Sequence, residues 1–367
     1  MNVLLLGGTG AIGVYLSDIL TGDDEVEHIY ITTRKNRTST DNKKQYLMGD
    51  AKDVSFLESV FRKKRIDVVV DFMSYKTQEF ASRIDFILRS CNSYVFLSSC
   101  RVFSDEKIIR ENSSRLLDTS SDGLYLETDE YALTKARQED ILKNSLYSNW
   151  TVVRPYITYS EERLQLGIYE KEQWLYRALC GKPIVFSKKL ENRYTSMLCG
   201  QDVAYFISRL IKNNPTGDCF NIVGEESIQW KDVLDIYINT IKEITGVWPQ
   251  VIYTENGFVP NSQRYQYLYD RLYNRRFCNN HIKEILGEKY SFKSLRIGLP
   301  LCLKTNITNN APFKEIDWIC EAEMDRLCRY CTRIKEIPGV KNKIKYALFR
   351  YLNTFARVVY GIRGYIK

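Results

Sequence analysis

The sequence has little histidine, no long hydrophobic run and no acidic residue near its end. Only two of the 367 residues are histidine. No apolar run approaches the roughly 20 residues that a membrane-spanning helix needs, and no signal peptide precedes the first predicted strand. These absences argue against an integral membrane protein and a secreted one, so we expect a cytoplasmic protein. A chain of this length forms one large domain or two unequal ones.

Cysteine, in contrast, occurs ten times. Without a secretory signal these residues indicate a reducing compartment, where cysteine is mostly a small buried hydrophobe. Cys328 and Cys331 form one Cys-x-x-Cys pair, but a structural zinc ion takes four ligands, and neither a second pair nor a histidine lies nearby. We therefore predict no metal site.

The net charge of +8 is concentrated near the end of the sequence, where residues 341–367 contain seven lysines or arginines and no acidic residue. Apolar residues recur there every three or four positions, the pattern of an amphipathic helix: Ile344, Ala347, Leu348, Tyr351, Leu352, Phe355, Val358, Val359 and Ile362. Such a helix packs on its own domain or on a second subunit, or lies on an anionic membrane surface. Packing is the preferred interpretation.

The clearest motif lies at the beginning of the chain. Residues 3–6 are an apolar run that predicts a strand buried on both faces, and Gly7-Gly8-Thr9-Gly10-Ala11-Ile12-Gly13 follows. In a strand–turn–helix unit these glycines permit a tight turn at Gly7, a pyrophosphate beside Gly10 and close packing at Gly13. The helix N-terminus favours the bound anion. We predict that this segment, with Thr9, Ala11 and Ile12, binds a dinucleotide.

The end of the second predicted strand, residues 28–32, indicates which dinucleotide is bound. Folds that bind NAD usually have Asp or Glu here to hold the ribose hydroxyl groups. This chain has Thr33-Arg34-Lys35 instead, and the guanidinium of Arg34 can bind a 2′-phosphate with two hydrogen bonds. NADP is therefore the preferred cofactor and NAD the alternative. A solvated basic loop would explain the same residues without a nucleotide.

Further strands alternate with predicted helices. Asp50 follows a third predicted strand, where its carboxylate can lie beside the adenine amine. Residues 66–72 and 94–97 are apolar or β-branched runs that predict two more strands. This order predicts an α/β protein with a Rossmann-like, doubly wound parallel sheet, which binds ligands at the carboxyl ends of its strands.

Tyr131 and Lys135 are four residues apart and therefore lie on one face of a helix. A free tyrosine has a pKa near 10 and is a poor base at neutral pH, but a nearby ammonium group stabilises its phenolate. A solvated helix face explains the same pair. The order of the glycine turn, the strand that ends at Ser98 and Ser99, and the Tyr–Lys helix favours catalysis.

Together these motifs resemble those of the extended short-chain dehydrogenase/reductases, in the group of NAD(P)-dependent nucleotide-sugar epimerases and dehydratases. The Gly-x-x-Gly-x-x-Gly spacing is that family's form. The resemblance covers roughly residues 1–300 and includes Gly49-Asp50, Phe96-Leu97-Ser98-Ser99 with Val102-Phe103, Tyr131 with Lys135, Val153-Arg154-Pro155, Asp202-Val203-Ala204 and Phe220-Asn221-Ile222.

The resemblance implies a role for each matching residue. Tyr131 would be the general acid/base, Lys135 would hold the nicotinamide ribose and tune Tyr131, and Ser99 would hydrogen-bond the reacting sugar oxygen. Ser98 takes the place of Ser99 if the register shifts by one. The resemblance also implies that Pro155 lies at the cofactor, that the substrate is a nucleotide sugar, and that the protein is a homodimer.

The residues that follow Ser99 bear on the reaction. The 4,6-dehydratases of this family have an Asp-Glu pair here, which performs the elimination, whereas this chain has Cys100 and Arg101. Some relatives that epimerise beside a keto group use a cysteine near this position, but Cys100 has no obvious histidine partner and is better explained as a small buried residue. The resemblance thus favours a ketosugar reductase or a 4-epimerase that supplies surface polysaccharide precursors.

A second acidic pair, Asp129-Glu130, precedes the Tyr–Lys helix. Its composition resembles the dehydratase signature, but its position does not. Acidic residues are favourable in the first turn of a helix, and we predict that Thr128 or Asp129 caps the helix.

We predict three parts of the chain. Residues 1–155 form an NAD(P)-binding Rossmann domain, 156–304 a mixed substrate-binding lobe with returning Rossmann elements, and 305–367 a helical C-terminal extension. In the lobe the resemblance implies that Arg193 lies near the position that contacts the nucleotide diphosphate. Arg271 is a candidate pyrophosphate ligand, because guanidinium groups bind phosphates with paired hydrogen bonds, and a solvated basic turn explains it equally well. Arg193 lies nine residues before Asp202, where seven is usual in relatives.

A rival hypothesis is a non-catalytic relative that keeps the dinucleotide-binding fold and binds RNA or a protein partner. Asp71-Phe72-Met73-Ser74-Tyr75 differs from the fourth-strand ending usual in sugar-modifying relatives, and the basic C-terminal segment could contact nucleic acid. The presence of Ser99, Tyr131 and Lys135 favours the enzyme. No RNA-binding signature of aromatic and basic residues is evident, so we expect no nucleic-acid partner.

Overall fold

The computed structural model describes residues 1–287 and 290–359. The strands are β1 (Asn2–Leu6), β2 (His28–Thr33), β3 (Lys44–Met48), β4 (Val68–Asp71), β5 (Ser93–Leu97), β6 (Trp150–Pro155), β7 (Ile157–Tyr159), β8 (Ile184–Ser187), β9 (Tyr194–Thr195), β10 (Met197–Cys199), β11 (Asp218–Ile222), β12 (Ile228–Gln229) and β13 (Val251–Thr254).

The helices are α1 (Gly13–Thr21), α2 (Val54–Lys63), α3 (Thr77–Ser90), α4 (Leu116–Thr119), α5 (Gly123–Leu126), α6 (Tyr131–Lys143), α7 (Lys171–Leu179), α8 (Gly200–Asn213), α9 (Trp230–Thr245), α10 (Arg264–Gln266), α11 (Asn280–Leu286), α12 (Leu295–Thr308), α13 (Trp318–Leu327), α14 (Val340–Tyr351) and α15 (Asn353–Val359). A 3-10 turn, Cys100–Val102, follows β5, and a π-helix, Tyr267–Arg271, follows α10.

Contacts between residues divide the chain into two units, each assembled from three segments. The first unit comprises Met1–Ser160, Ser196–Glu226 and Arg276–Lys293, and the second comprises Glu161–Thr195, Ser227–Arg275 and the described residues from Ser294 onward. The predicted boundaries at residues 155 and 304 stay predictions.

A seven-stranded sheet forms the centre of the first unit, in the order β11-β6-β5-β4-β1-β2-β3. Every pairing between neighbouring strands of this sheet is parallel. The predicted fold class, a Rossmann-like parallel sheet, is thereby confirmed. All carboxyl ends of these strands lie at one edge, because the strands run in the same direction.

Helices cover both faces of this sheet. Val3 and Leu5 of β1 point to the side covered by α1, α8 and α11, whereas Leu4 and Leu6 point to the side covered by α2, α3 and α6. All five residues of β1 are buried, as the predicted two-sided burial requires. Strands buried on both faces consist of nearly continuous apolar runs, which explains why β1, β4 and β5 could be located in the sequence.

The second unit contains two pairs of short strands and several helices. β8 and β13 pair in parallel, and β9 and β12 pair antiparallel. Arg177 of α7 is fully buried and pairs with two carboxylates of α13, through distances of 3.0 Å to Glu321 Oε2 and 2.9 Å to Asp325 Oδ1. A buried guanidinium needs such partners, and here they join α7 to α13.

Helix α14 packs against this unit by a face other than the predicted one. Tyr346 and Phe349 are buried in a cluster with Trp318, and the Tyr346 hydroxyl donates a 2.6 Å hydrogen bond to Asp325 Oδ2. Of the predicted apolar residues, Ile344, Tyr351, Leu352 and Phe355 do not pack on their own domain, because they are 53%, 62%, 57% and 62% exposed. Packing on a second subunit stays a prediction. The side chains of Val358, Val359 and Ile362 lie outside the described part of the chain.

Across residues 1–287 and 290–359, no helix has both the length and the apolar character needed to cross a membrane.

Candidate functional site

The glycine turn connects β1 to α1. Gly7 has a φ of 71°, a left-handed conformation that favours glycine, and its N–H donates to Thr32 Oγ1 at 2.9 Å. A Cβ on Gly13 would lie 2.5 Å from the carbonyl oxygen of Gly8. The close packing predicted for Gly13 is therefore between the start of the helix and the turn itself.

Gly10 lies in a different environment. A Cβ at Gly10 would meet no atom within 4 Å, so its backbone borders open space in front of the start of α1. An anion in this space would meet backbone N–H groups and the positive end of a nine-residue helix.

This open space belongs to a cleft of about 270 Å³ at the carboxyl ends of β1, β2 and β3. The cleft brings together five of the predicted cofactor residues, Gly7, Thr9, Gly10, Arg34 and Asp50, and is completed by Thr32, Thr33, Gly49, Ala51 and Met73. Arg34 and Asp50 are exposed. A guanidinium and a carboxylate at the rim of a glycine-lined cleft fit the phosphates and adenosine of a dinucleotide.

The remaining predicted cofactor residues lie around this cleft or farther along the sheet edge. Ala11 and Ile12 form the turn that leads into α1. Pro155 is buried at the end of β6, where it pairs with Ile222 of β11.

Lys135 is buried at the edge of the sheet. Its Nζ donates to the carbonyl oxygen of Leu97, the last residue of β5, at 2.7 Å and lies 3.4 Å from that of Met73. Burial lowers the pKa of Lys135 to about 8, although the charges of Asp71 and Glu139 oppose this change. Because Met73 also lines the cleft, the ammonium group lies beside the predicted cofactor site.

Asp71, the last residue of β4, is a fully buried carboxylate whose charge acts on Lys135 and which the sequence did not point to as a site residue. It accepts hydrogen bonds from the Met73 N–H at 2.9 Å and from the Tyr94 hydroxyl at 2.9 Å. Burial raises the pKa of Asp71 despite these hydrogen bonds and the charge of Lys135. The signal was an aspartate that ends an apolar, β-branched strand at the ligand-binding edge.

Tyr131 is the first residue of α6 and is 39% exposed. The N-cap is Glu130, not Thr128 or Asp129, because the Glu130 carboxylate accepts from the Ala132 N–H at 2.8 Å. Glu130 also pairs with Arg101 at 2.5 Å, and the Arg101 guanidinium carbon lies 5.2 Å from the Tyr131 ring centroid. Arg101 thus connects the turn after β5 to the beginning of α6.

The three residues that precede Arg101 have different surroundings. The Ser99 oxygen accepts from the Arg101 N–H at 3.2 Å, which leaves its own proton available for donation. The Ser98 hydroxyl instead donates to Glu139 Oε1 at 2.5 Å, and the Cys100 thiol donates to the carbonyl oxygen of Arg154 at 3.0 Å. All three residues are buried.

Glu139 and Arg154, the hydrogen-bond partners of Ser98 and Cys100, form a buried ion pair with each other. Arg154 Nε and Nη2 each lie 2.7 Å from a carboxylate oxygen of Glu139. Burial alone would raise the pKa of Glu139, but the charge and hydrogen bonds of Arg154 hold it below its ordinary value. The pair connects α6 to β6.

The candidate substrate residues of the second unit differ in exposure. Arg193 is exposed next to β9. Arg271 is buried in the π-helix, where it pairs with Asp270 and its Nε donates to the carbonyl oxygen of Gly167 at 2.8 Å.

The glycine turn yields a prediction with two matched variants. Gly10→Ala should retain the melting temperature and weaken NADPH binding by about tenfold or more, about 1.4 kcal/mol, because the new methyl group enters the cleft. Gly13→Ala should lose about 1–3 kcal/mol of stability, because its methyl group meets backbone that cannot move away easily. Thermal denaturation and fluorescence titration with NADPH measure the two effects. Equal NADPH affinity of Gly10→Ala and the wild type would contradict the assignment of the cleft.

The buried charges yield a second prediction. The pKa of Lys135 can be measured by NMR in protein labelled with carbon-13 at lysine Cε, where the Lys135 resonance is the one that disappears in Lys135→Met. This resonance should titrate with a midpoint at about pH 8. Asp71→Asn removes an opposing negative charge, so the pKa of Lys135 should fall by a further unit or so, as is typical for a nearby opposite charge. The matched control is Asp67→Asn, at the residue that precedes the start of β4. It should leave the titration midpoint of Lys135 unchanged. An unchanged midpoint in Asp71→Asn would show that the two groups do not interact.

Comparison with known proteins gives one family match. The sequence profile described as "NAD dependent epimerase/dehydratase family" matches residues 3–223. Among curated proteins, none matches the sequence significantly.

Solved structures share the fold at low sequence identity. The UDP-glucuronic acid 4-epimerase of Bacillus cereus, in complex with NAD, is 16% identical with a TM-score of 0.62 over 85% of this chain and 100% of that one. The dTDP-glucose 4,6-dehydratase of Bacillus anthracis is 17% identical with a TM-score of 0.63 over 86% and 100%. A hypothetical dTDP-4-dehydrorhamnose reductase of Sulfolobus tokodaii is 19% identical with a TM-score of 0.55 over 80% and 98%.

These neighbours carry out different reactions by their descriptions, so their similarity shows the fold alone. The profile match is more informative, because it spans more than half of the chain and includes the glycine turn, the helix of Tyr131 and Lys135, and β11. By this match the chain belongs to the NAD dependent epimerase/dehydratase family.

Proposed function

We propose that the protein is an NADP-dependent enzyme that transfers hydride to or from a nucleotide-linked sugar, as a ketosugar reductase or a 4-epimerase. The observation that carries the proposal is the position of Lys135. Its ammonium group is held by the carbonyl oxygen that ends β5 and lies next to Met73 of the glycine-lined cleft. Tyr131, one turn earlier on the same helix, is partly exposed.

The roles of these residues follow from their chemistry. A bound nicotinamide dinucleotide supplies or accepts the hydride. Tyr131 transfers the proton of the sugar hydroxyl, taking it during oxidation and returning it during reduction. Ser99 donates its proton to the same oxygen, and the Lys135 ammonium holds the nicotinamide ribose and stabilises the Tyr131 phenolate.

Arg34 supports NADP as the cofactor. Its exposed side chain lines the cleft at the end of β2, where NAD-binding folds usually have an acidic residue. A 2′-phosphate there would bind the guanidinium with charge-assisted hydrogen bonds.

The residues after Ser99 disfavour a 4,6-dehydratase. Cys100 is buried with its thiol bonded to a backbone carbonyl, and Arg101 is paired with Glu130. Neither can act as the carboxylic acid or carboxylate of an elimination. Glu130 is itself occupied as the N-cap of α6, which leaves it poorly suited to that role.

Several features of the proposal depend on the second unit or on the assembly. Exposed Arg193 is a better candidate than buried Arg271 for contact with a nucleotide diphosphate, because Arg271 already pairs with Asp270. A homodimer, a cytoplasmic location and a role in surface polysaccharide precursors stay predictions.

Replacement of Tyr131 tests the proposed mechanism. Tyr131→Phe should lower turnover of a nucleotide-linked ketosugar by about 100-fold or more, the usual contribution of a general acid or base, and leave NADPH affinity unchanged. Loss of nicotinamide absorbance during incubation with a panel of such sugars measures turnover. Tyr147→Phe, in the loop after the same helix, is the matched control and should be fully active.

The same assay separates the reactions. Stoichiometric oxidation of NADPH indicates a reductase, whereas a sugar isomer formed without net oxidation indicates a 4-epimerase. Full turnover by Tyr131→Phe would refute the mechanism. No turnover and no dinucleotide binding by the wild-type protein would favour a non-catalytic binding protein.

Replacement of Arg34 tests the cofactor preference. Arg34→Ala removes the charge that would meet the 2′-phosphate, so its NADPH affinity should fall about 10- to 100-fold, the value of a hydrogen bond to a charged group. Its NADH affinity should not change. Arg37→Ala, an exposed cation outside the cleft lining, is the control and should bind both dinucleotides like the wild type. Equal losses of NADPH and NADH affinity in Arg34→Ala would contradict the preference for NADP.

A further inference from the structure

Helix α14 has two apolar faces, and only one of them is buried in the second unit. The buried face consists of Tyr346 and Phe349, which are at most 2% exposed. The other face remains exposed, and two further exposed apolar residues follow directly after the helix. We call these residues the α14 stripe: Val340, Ile344 and Tyr351 on the helix, with exposed fractions of 72%, 53% and 62%, and Leu352 and Phe355 after it, with 57% and 62%.

Two of the three lysines of α14 flank the helical part of this stripe. With 3.6 residues per turn, Val340, Ile344 and Tyr351 project within about 40° of one another. Lys341 and Lys343 project about 80° to either side of the centre of the stripe. Within the described residues no hydrogen bond or ion pair engages the ammonium group of either lysine. Arg350 and Arg357, in contrast, are bound to the Tyr330 carbonyl and to Glu323.

The charged residues of the chain from Lys341 onward have one sign. Residues 341–367 contain no acidic residue, although the chain has 45 elsewhere. An exposed apolar stripe flanked by unpaired cations is the arrangement with which amphipathic helices bind anionic membrane surfaces: the apolar side chains enter the headgroup boundary, and the lysines contact lipid phosphates.

We propose that the α14 stripe with Lys341 and Lys343 is a docking surface for an anionic lipid bilayer, on which the protein rests peripherally. This proposal does not depend on the proposed function, because it concerns no residue of the dinucleotide cleft or of the Tyr131 helix.

A second copy of the chain fits this surface less well. A two-fold symmetric interface brings the same patch of both copies together. Lys341 and Lys343 of both copies would then lie in one interface, and residues 341–367 contain no acidic residue to compensate them. An anionic surface supplies that compensation.

Vesicle sedimentation tests the proposal with the full-length protein. The wild type should sediment with phosphatidylcholine vesicles that contain phosphatidylglycerol and should remain in solution with pure phosphatidylcholine. The double variants Ile344→Ser/Phe355→Ser and Lys341→Glu/Lys343→Glu should each lower the partition coefficient at least about tenfold. Higher salt should weaken binding of the wild type, because it screens the lysines.

Matched variants control for surface properties in general. Leu146→Ser removes a side chain of the first unit that is 99% exposed, and Lys63→Glu reverses an exposed charge there. Both should bind vesicles like the wild type. All substituted side chains of the stripe are exposed, so the melting temperatures should stay close to that of the wild type.

Three results would overturn the proposal. The first is the absence of wild-type binding to anionic vesicles, and the second is equal binding by the double variants. The third is a concentration-dependent dimer, seen by analytical ultracentrifugation, that Ile344→Ser/Phe355→Ser abolishes, because the surface would then be an interface between copies. Turnover enters neither measurement, so failure of the proposed function would leave this test intact.

Discussion

The buried pair of Glu139 and Arg154 is the interaction on which the candidate catalytic arrangement depends. Glu139 lies one helical turn after Lys135 on α6, and Arg154 lies on β6. Two 2.7 Å contacts, together with the Ser98 hydroxyl, fix the rotation of the helix against the sheet. Since a buried charge without its partner is strongly destabilising, the helix has little freedom to turn. Lys135 is therefore held at the end of β5, and Tyr131 lies one turn closer to the N-terminus.

This constraint acts at the edge where the parallel strands end. The glycine turn after β1, the cleft beside β2 and β3, and the carbonyl group that ends β5 all occur there, because parallel strands bring equivalent ends together. The same edge contains the buried Asp71, whose charge opposes the loss of the Lys135 proton. The proposed cofactor binding and the proposed proton transfer would therefore both take place at this edge of the sheet.

The second unit uses buried charge in a similar way. Arg177 pairs with Glu321 and Asp325, and Asp325 also accepts hydrogen bonds from Thr332 and Tyr346. These contacts attach α13 and α14 to α7 through polar groups that would be costly to bury alone. Because Tyr346 is drawn toward Asp325, the apolar residues on the opposite side of α14 are left facing outward. The stripe is exposed because the hydrogen bonds and ion pairs of Asp325 hold the opposite face of α14 against the second unit.

The sequence by itself determined the central sheet and the glycine turn. Strands such as β1 and β4 are buried on both faces and must be apolar throughout, and Gly7 must adopt a positive φ, so these elements leave a local signal. The same holds for the spacing of Tyr131 and Lys135, which one helical turn brings to the same face.

Only the tertiary structure decided how distant residues combine. In the folded chain the Ser98 hydroxyl donates to Glu139, whereas the Ser99 oxygen accepts from the backbone of the turn after β5. Glu130 caps α6, and Arg271 is buried in a pair with Asp270. The tertiary structure also determined that Tyr346 and Phe349 form the buried face of α14. A local pattern specifies which residues share a face of a helix, but the partner of that face comes from another part of the chain. Burial and pairing of charges across such distances are therefore determined only when the chain has folded.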